Sequence, residues 1–447
     1  MSKTTITEYL DNDYKEYAKY VVENRAIPSV IDGLKPTQRK VVFIADKVWK
    51  NGSEKPYKVF QLTGKIAADA HYHHGDGSLN SAIIGMAQDF KNSMPLLEGI
   101  GQFGSLRSPD AGAPRYVSTR LHPNFRLLYK DFELLSPRME EGSQIEPEYF
   151  LPIIPTVLLN GSSGIAVGFA TNILNRKPID LIECCLKELS GRKYDDPAPW
   201  INGFKGTCNK IEDSDNSWIF RGIYDVKNTT TINITEIPPS ITYEKYDDHL
   251  NRLEDEKRIS SYDNNCKSDI NYTIKISRSD LSSLQKTGRL DRFLKMEERQ
   301  SENFTVLDEF GKLKIFDSAT EIIKYFVSFR LKYYQKRKDY LINKISDELR
   351  VLSNKARFIK AIIDGKLKIN NVPKSQIVSY LDKNKFDQIN GSYSYLLSMP
   401  IHTLTREKYE ELLSQEAEKK KELDQVKKSD PKEMYRKDLN DLKKVLR

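Results

Sequence analysis

Arg115 and Tyr116 stand side by side in the segment APRY at 113–116, within a run rich in Gly, Ala and Pro. The context of Tyr116, a basic neighbour in a small-residue loop, sets this tyrosine apart from the others in the chain. A phenol, whose ordinary pKa is about 10, is a poor nucleophile at neutral pH unless a cation or base lowers the cost of its phenolate. A neighbouring guanidinium could do that, and could also offset the extra negative charge on a phosphorus under attack. The chain holds 24 tyrosines, and a tyrosine ordinarily packs its ring and hydrogen-bonds its hydroxyl. Residue types alone therefore leave a nucleophile and a packed aromatic both open.

Three further segments carry chemistry-bearing types. His71, His73 and His74 fall within four residues just before an apolar helical pattern. They do not sit at i, i+4 and have no cysteine nearby, so metal ligation, an ordinary loop role and phosphate contact or proton transfer all stay open. A helix N-terminus directly after them favours an anion. GIGQFG at 99–104 matches a dinucleotide-loop pattern, but SLRSPDAGAPRY follows it in place of an apolar helix. The surrounding pattern excludes a Rossmann site and leaves a flexible loop whose glycines allow close approach of another polymer. In NGSSGIAVG at 160–168 a small-residue turn presents Ile165, either a buried apolar residue or a wedge between base pairs. The acidic pairs Asp11/Asp13 and Asp213/Asp215 lie in polar segments and read as solvated loop, so no metal site is expected in this chain.

With 447 residues the chain is expected to fold as several domains. A formal net charge of +8 favours an anionic partner only modestly. No apolar run of about 18 residues is available to span a bilayer, and the polar start MSKTTITEYL has no signal-peptide core. A cytoplasmic protein with four reduced cysteines and no membrane partner is expected.

These residues need elements to hold them. Pro36 can occupy the first position of a helix running through Val48. Leu79, Ala82, Ile83, Met86, Ala87 and Phe90 form one apolar stripe on the helix after the histidines. Short helices carrying Lys35, Arg39 and Lys40 on their surface fit a helix-turn-helix type module. Strict alternation at Ile270, Tyr272, Ile274 and Ile276, and at Ile232 and Ile234, predicts strands. A hairpin is expected around Phe310 and Gly311, whereas 191–218 reads as loop. From Thr320 to Asp364 there is neither Pro nor Gly, and Tyr334, Leu341, Ile345, Leu352, Ala356, Ile359 and Ile363 make a near-heptad seam. Its expected partner is the helical stretch Thr405–Lys428 with Glu433–Leu446, the segment at 396–404 forming a compact tip.

Taken in order, ENRAIPSVIDGLKPTQRKVVF at 23–43, YHHGD at 72–76, GIGQFGS at 99–105, APRYVSTRL at 113–121, NGSSGIAVGFAT at 160–171 and YLLSMPIHTLTREKYEELL at 395–413 resemble the breakage-reunion subunit of type IIA DNA topoisomerases. That is the family of gyrase A and eukaryotic topoisomerase II. The YHH form and the QRKV run look more like its eukaryotic and T-even-phage branches, and the short chain looks like the medium subunit of phage T4-type enzymes.

The resemblance implies an α+β multidomain fold: a winged-helix DNA-cleavage domain over 1–150, an α+β tower over 151–318, and over 319–447 a long antiparallel coiled coil ending in a dimer gate. It implies Tyr116 as the nucleophile, Arg115 and His74 supporting the transition state, Arg25 and Lys35 on the DNA, and Ile165 bending it. Arg39, Lys40 and His73 complete the expected DNA-binding set. Gly77 and Ser81 stand where bacterial relatives commonly carry a Ser and an acidic quinolone anchor. The partners implied are double-stranded DNA, a second copy of this chain, and a large subunit. That large partner would supply the ATPase and the TOPRIM domain holding Mg²⁺, with neither ATP nor Mg²⁺ bound by this chain alone. The charged helical tail is expected to go with relaxation of supercoils rather than wrapping. Two other readings compete: a tyrosine recombinase, which needs its tyrosine near the C-terminus, and a non-catalytic architectural DNA-binding protein.

Overall fold

The structure is a computed structural model that describes residues 5–50, 55–212, 214, 216–267 and 269–446. It divides into two compact units, Met1–Arg330 with Arg436–Arg447, and Leu331–Tyr435.

The first unit opens on a helical run over Ile6–Ala26, interrupted by π-type turns at Leu10–Tyr14 and Val22–Ala26. Three helices follow, Pro36–Trp49, Val59–Asp69 and Asp76–Ala87. Pro36 takes the first helical position as expected, and the helix runs one residue beyond Val48. Two of these helices start alike: the Lys35 N–H donates to Gln38 Oε1 and the Lys58 N–H to Gln61 Oε1, each at 3.0 Å. A glutamine at the third helical position thus satisfies a donor that the helix leaves unpaired. Leu79, Ile83, Met86 and Ala87 are buried as the stripe predicts, while Phe90 lies past the helix end. These helices pack on a three-stranded antiparallel sheet with Ser118–Leu121 in the centre, paired with Tyr57–Lys58 on one side and Leu97–Ile100 on the other.

A four-stranded antiparallel sheet later in the same unit takes the order Ile223–Asn228, Thr231–Glu236, Tyr272–Lys275, Ser261–Asn264. Ile232 and Ile234 face Ile274 and Tyr272 across the central pair, and all four are fully buried. Tyr246 and Leu250 of the helix Tyr243–Asp255 cover them. The segment 191–218, expected to be loop, instead contributes the strand Thr207–Lys210 and the start of Ser217–Arg221, which join Glu297–Ser301 in a second sheet. Thr207–Lys210 is a partly exposed edge strand, so its residues carry little of the apolar alternation that marks a strand. The hairpin expected around Phe310 and Gly311 joins Phe304–Leu307 to Leu313–Phe316, with Gly311 at φ +73°. All four cysteines are free, and among the described residues no helix is long and apolar enough to cross a membrane.

The 45-residue helix Ala319–Ile363 matches its expected span within one residue at each end. In the second unit the helix Arg406–Lys428 returns antiparallel to it. Ala356 and Ile359 pack on Leu412, Glu348 pairs with Lys419 at 2.9 Å, and the Tyr334 ring stacks on Tyr435 at 4.5 Å. Ile363, expected in the seam, is 43% exposed, because the seam ends where the helix does. Around it, Phe358, Leu367, Leu381, Phe386 and Leu396 form a separate small core that includes the tip segment.

Candidate functional site

The functional residues expected from the sequence fall into three places. The first is the turn carrying Tyr116, which is 72% exposed, with the Arg115 guanidinium 5.8 Å from its ring centroid. The backbone beneath that ring is fixed. Tyr116 N–H donates to Ala113 O at 2.8 Å and Gly112 N–H to Gln102 O at 2.9 Å. The opening of helix Val59–Asp69 clasps the turn from below: Val59 N–H donates to Val117 O and Phe60 N–H to Pro114 O. Lys58 Nζ adds a bond to Tyr116 O at 2.8 Å. Donors that a helix start leaves unpaired are thus spent on holding one tyrosine. A hydroxyl presented outward on a rigid turn beside a guanidinium suits nucleophilic attack on an anion. A core tyrosine would be buried.

The loop 99–112 beside it is also internally determined. At Gly104, with φ +82°, an added Cβ would lie 2.7 Å from the Pro109 carbonyl. Its space is filled by the chain's own backbone. Gln88 Nε2 ties Phe103 O and Pro109 O together from one side.

The second place is the histidine segment. His74 Nε2 lies 2.9 Å from the Tyr20 hydroxyl, and the Tyr72 ring stands edge-on to it at 5.4 Å. Burial pushes the Tyr72 phenol above its ordinary value, partly opposed by a hydrogen bond with Thr37 and by Arg25. Arg25 itself is exposed. His73 faces Glu140 at 3.8 Å and His71 faces Glu141 at 3.6 Å. All three histidines line an open cleft of about 910 Å³ together with Tyr20, Arg138 and Glu140. No hydrogen bond or ring contact joins His74 to Tyr116 among the described residues. The 11-residue helix Val59–Asp69, about 16 Å long at 1.5 Å per residue, begins at the tyrosine turn and ends just before the histidines.

The third place is the hairpin of Ser162–Ile165 with Ala170–Ile173. Ile165 at its end is 87% exposed, so it is not the buried apolar residue that one reading of the sequence allows. Behind it, Ala166 and Val167 pack against Val21, Val22, Ala26 and Leu307. At Gly164 an added Cβ would meet Ala26 O at 2.3 Å, so only glycine lets the hairpin seat this closely. Lys35 Nζ donates to Ser163 O at 2.7 Å, and burial pulls its ammonium below the ordinary range.

Arg39 and Lys40 line the same cleft as the histidines, but both charges are already paired within the protein. Arg39 is 6% exposed and holds the buried Asp32 carboxylate through Nε at 2.7 Å and a terminal nitrogen at 3.0 Å. Lys40 Nζ is engaged by Ala70 O and Glu146 at 2.6 and 3.0 Å. The sequence expects both to be exposed; Arg39 is instead buried and Lys40 largely covered, each charge paired within the protein, because an unpaired buried carboxylate is costly. Asp11 and Asp13, expected in a solvated loop, lie exposed on the helical segment Leu10–Tyr14, and the pair Asp213 and Asp215 lies outside the described residues. Among the described residues no group of three or more His, Cys, Asp or Glu gathers to hold a metal ion.

Two residues at the site escape the sequence reading. Lys58 anchors the tyrosine turn, and the Lys-x-x-Gln spacing it shares with Lys35 is the signal that marks it. Arg107 is buried and donates to Glu236, Ile237 O, Pro238 O and Ile241 O, latching the 99–112 loop to the four-stranded sheet. No local pattern marks it, since its partners lie some 130 residues away.

The chain is similar to known proteins over most of its length. A family model described as the A subunit of DNA gyrase/topoisomerase IV matches residues 25–441. The chain is 34% identical over 447 residues to the DNA topoisomerase medium subunit of Enterobacteria phage T4, covering 99% of this chain and 100% of that one. It is 32% identical to the mitochondrial DNA topoisomerase 2 of Dictyostelium discoideum over all of its own length, but spans only 35% of that protein. The solved DNA-binding, cleavage and re-ligation domain of Plasmodium falciparum topoisomerase II superimposes with a TM-score of 0.86 at 34% identity, covering 98% of this chain and 64% of that one.

Proposed function

The chain belongs to the family of the DNA gyrase and topoisomerase IV A subunits, and on that premise we propose that it is the DNA-cutting and rejoining subunit of a type IIA topoisomerase, with Tyr116 as the nucleophile. The observation that carries the reading is the exposed Tyr116 hydroxyl on a turn clasped by the start of a helix, beside Arg115. In the cutting step the Tyr116 hydroxyl loses its proton and its oxygen bonds to a backbone phosphorus. The bond from phosphorus to the 3′ oxygen breaks, and that oxygen takes up a proton. A 5′-phosphotyrosyl link and a free 3′ hydroxyl result, and the reverse step reseals the strand without fuel. Arg115 offsets charge on the phenolate and on the phosphoryl oxygens. Arg25, Lys35 and His73 contact the DNA, and Ile165 unstacks a base step and bends the duplex.

His74 supports the transition state. Its separation from Tyr116 along helix Val59–Asp69 favours a site shared between two copies, each copy's tyrosine meeting the other's histidine. The regions 1–150, 151–318 and 319–447 are assigned as winged-helix, tower, and coiled coil with dimer gate. The antiparallel run of Arg406–Lys428 along the long helix supports the last of these. ATP hydrolysis and the TOPRIM-bound Mg²⁺ are assigned to a large partner subunit.

The test is chemical. DNA incubated with the assembled enzyme is denatured with detergent, and the covalent adduct is mapped at its DNA end. A protein-blocked 5′ end is the expected result. A blocked 3′ end would make the chain a tyrosine recombinase, and the lack of any adduct would leave an architectural protein.

A further inference from the structure

Tyr20 lies just ahead of the first family motif, which begins at Glu23, on the helical run that opens the chain. Its hydroxyl is the hydrogen-bond partner of His74, at 2.9 Å from Nε2, with the two rings 6.3 Å apart. The Tyr72 ring, edge-on at 5.4 Å, confines the imidazole from another direction. An imidazole has two nitrogens, and the bond made by one decides what the other presents. With Nε2 occupied by Tyr20, Nδ1 is the nitrogen left to meet a substrate oxygen.

The segment carrying Tyr20 is not free to drift. The residues next along, Val21 and Val22, are buried with Ala26, Ile27 and Leu307, and against this cluster rest Ala166 and Val167 behind the exposed Ile165. One short stretch thus has its polar contact on the histidine and its apolar contact on the hairpin.

We propose that Tyr20 is a positioning residue for DNA cleavage: it holds His74 by Nε2 so that Nδ1 faces the phosphate. The inference rests on the topoisomerase reading. A hydroxyl that only orients the imidazole acts on the reacting complex and leaves duplex affinity alone. Its loss is worth about fivefold in rate, the effect of one ordinary hydrogen bond.

The test uses the enzyme assembled with the large partner that supplies its ATPase and metal centre. Single-turnover cleavage is measured against duplex concentration for wild type, Tyr20→Phe, His74→Ala and the double variant. Thermal unfolding serves as the check on folding, and Tyr116→Phe as the control for the nucleophile. The expected result has three parts. Tyr20→Phe cuts about fivefold more slowly at saturating DNA. Its half-saturating concentration stays at the wild-type value. Adding it to His74→Ala causes no further loss. A wild-type rate at saturation would overturn the proposal, as would a loss confined to DNA affinity or an undiminished effect in the His74→Ala background. Cleavage by Tyr116→Phe would instead overturn the assignment of the nucleophile, so the two failures are distinguishable.

Discussion

The Asp32 carboxylate has no exposure to solvent and accepts hydrogen bonds from Arg39, Leu34 N–H and Phe150 N–H. Removing the cation leaves that charge buried and uncompensated. Arg39→Met should therefore cost about 3–5 kcal/mol of stability, read as a lowered Tm, while the folded fraction binds DNA as before. A variant of normal Tm with weakened DNA binding would return Arg39 to the surface role its sequence suggests. At the opposite extreme of exposure, Ile165→Ala should leave Tm unchanged and reduce DNA bending, because unstacking a step is worth a few kcal/mol. Bending equal to wild type by fluorescence on a cleavage-site duplex would count against the wedge. The contrast explains how far single residues are legible. Arg115, Tyr116 and Ile165 sit in local sequence contexts that survive folding. The fates of Arg39 and Lys40 depend on Asp32 and Glu146, and a basic residue's sequence neighbours do not name its carboxylate.

Elements are more legible where their period is carried by burial. The stripe at Leu79, Ile83 and Met86, the alternation from Ile270 to Ile276 and the long helix over 319–363 all show in the residues because one face of each is apolar. The strand Thr207–Lys210 reads as loop because no residue of it is fully buried. Helix Val59–Asp69, which clasps the tyrosine turn, buries Val59, Leu62 and Ile66 at helical spacing behind its Lys-x-x-Gln start, a signal the sequence reading passes over, and Lys58 is missed with it. At this scale the hairpin 162–173 gives a direct check. Gly164→Ala pushes a methyl onto Ala26 O and should destabilise the seat by about 1–3 kcal/mol. A lowered Tm and weaker bending should appear together. Unchanged Tm would mean that the hairpin can retreat from Ala26 at no cost.

At the scale of the whole molecule, the chain spans 35% of a relative whose single chain is a topoisomerase by name. The isolated chain with Mg²⁺ should neither cleave DNA efficiently nor hydrolyse ATP, and both activities should appear once a partner with ATPase and TOPRIM domains is added. Robust Mg²⁺-dependent cleavage by the rigorously purified chain alone would refute that division of labour. Within the assembly everything depends on one oxygen. The decisive measurement is covalent adduct formation by Tyr116→Phe, assembled as the wild type is, on a duplex whose affinity is measured in parallel. The account predicts unchanged affinity and no adduct, because only the attacking atom is gone. An adduct retained by Tyr116→Phe would contradict it.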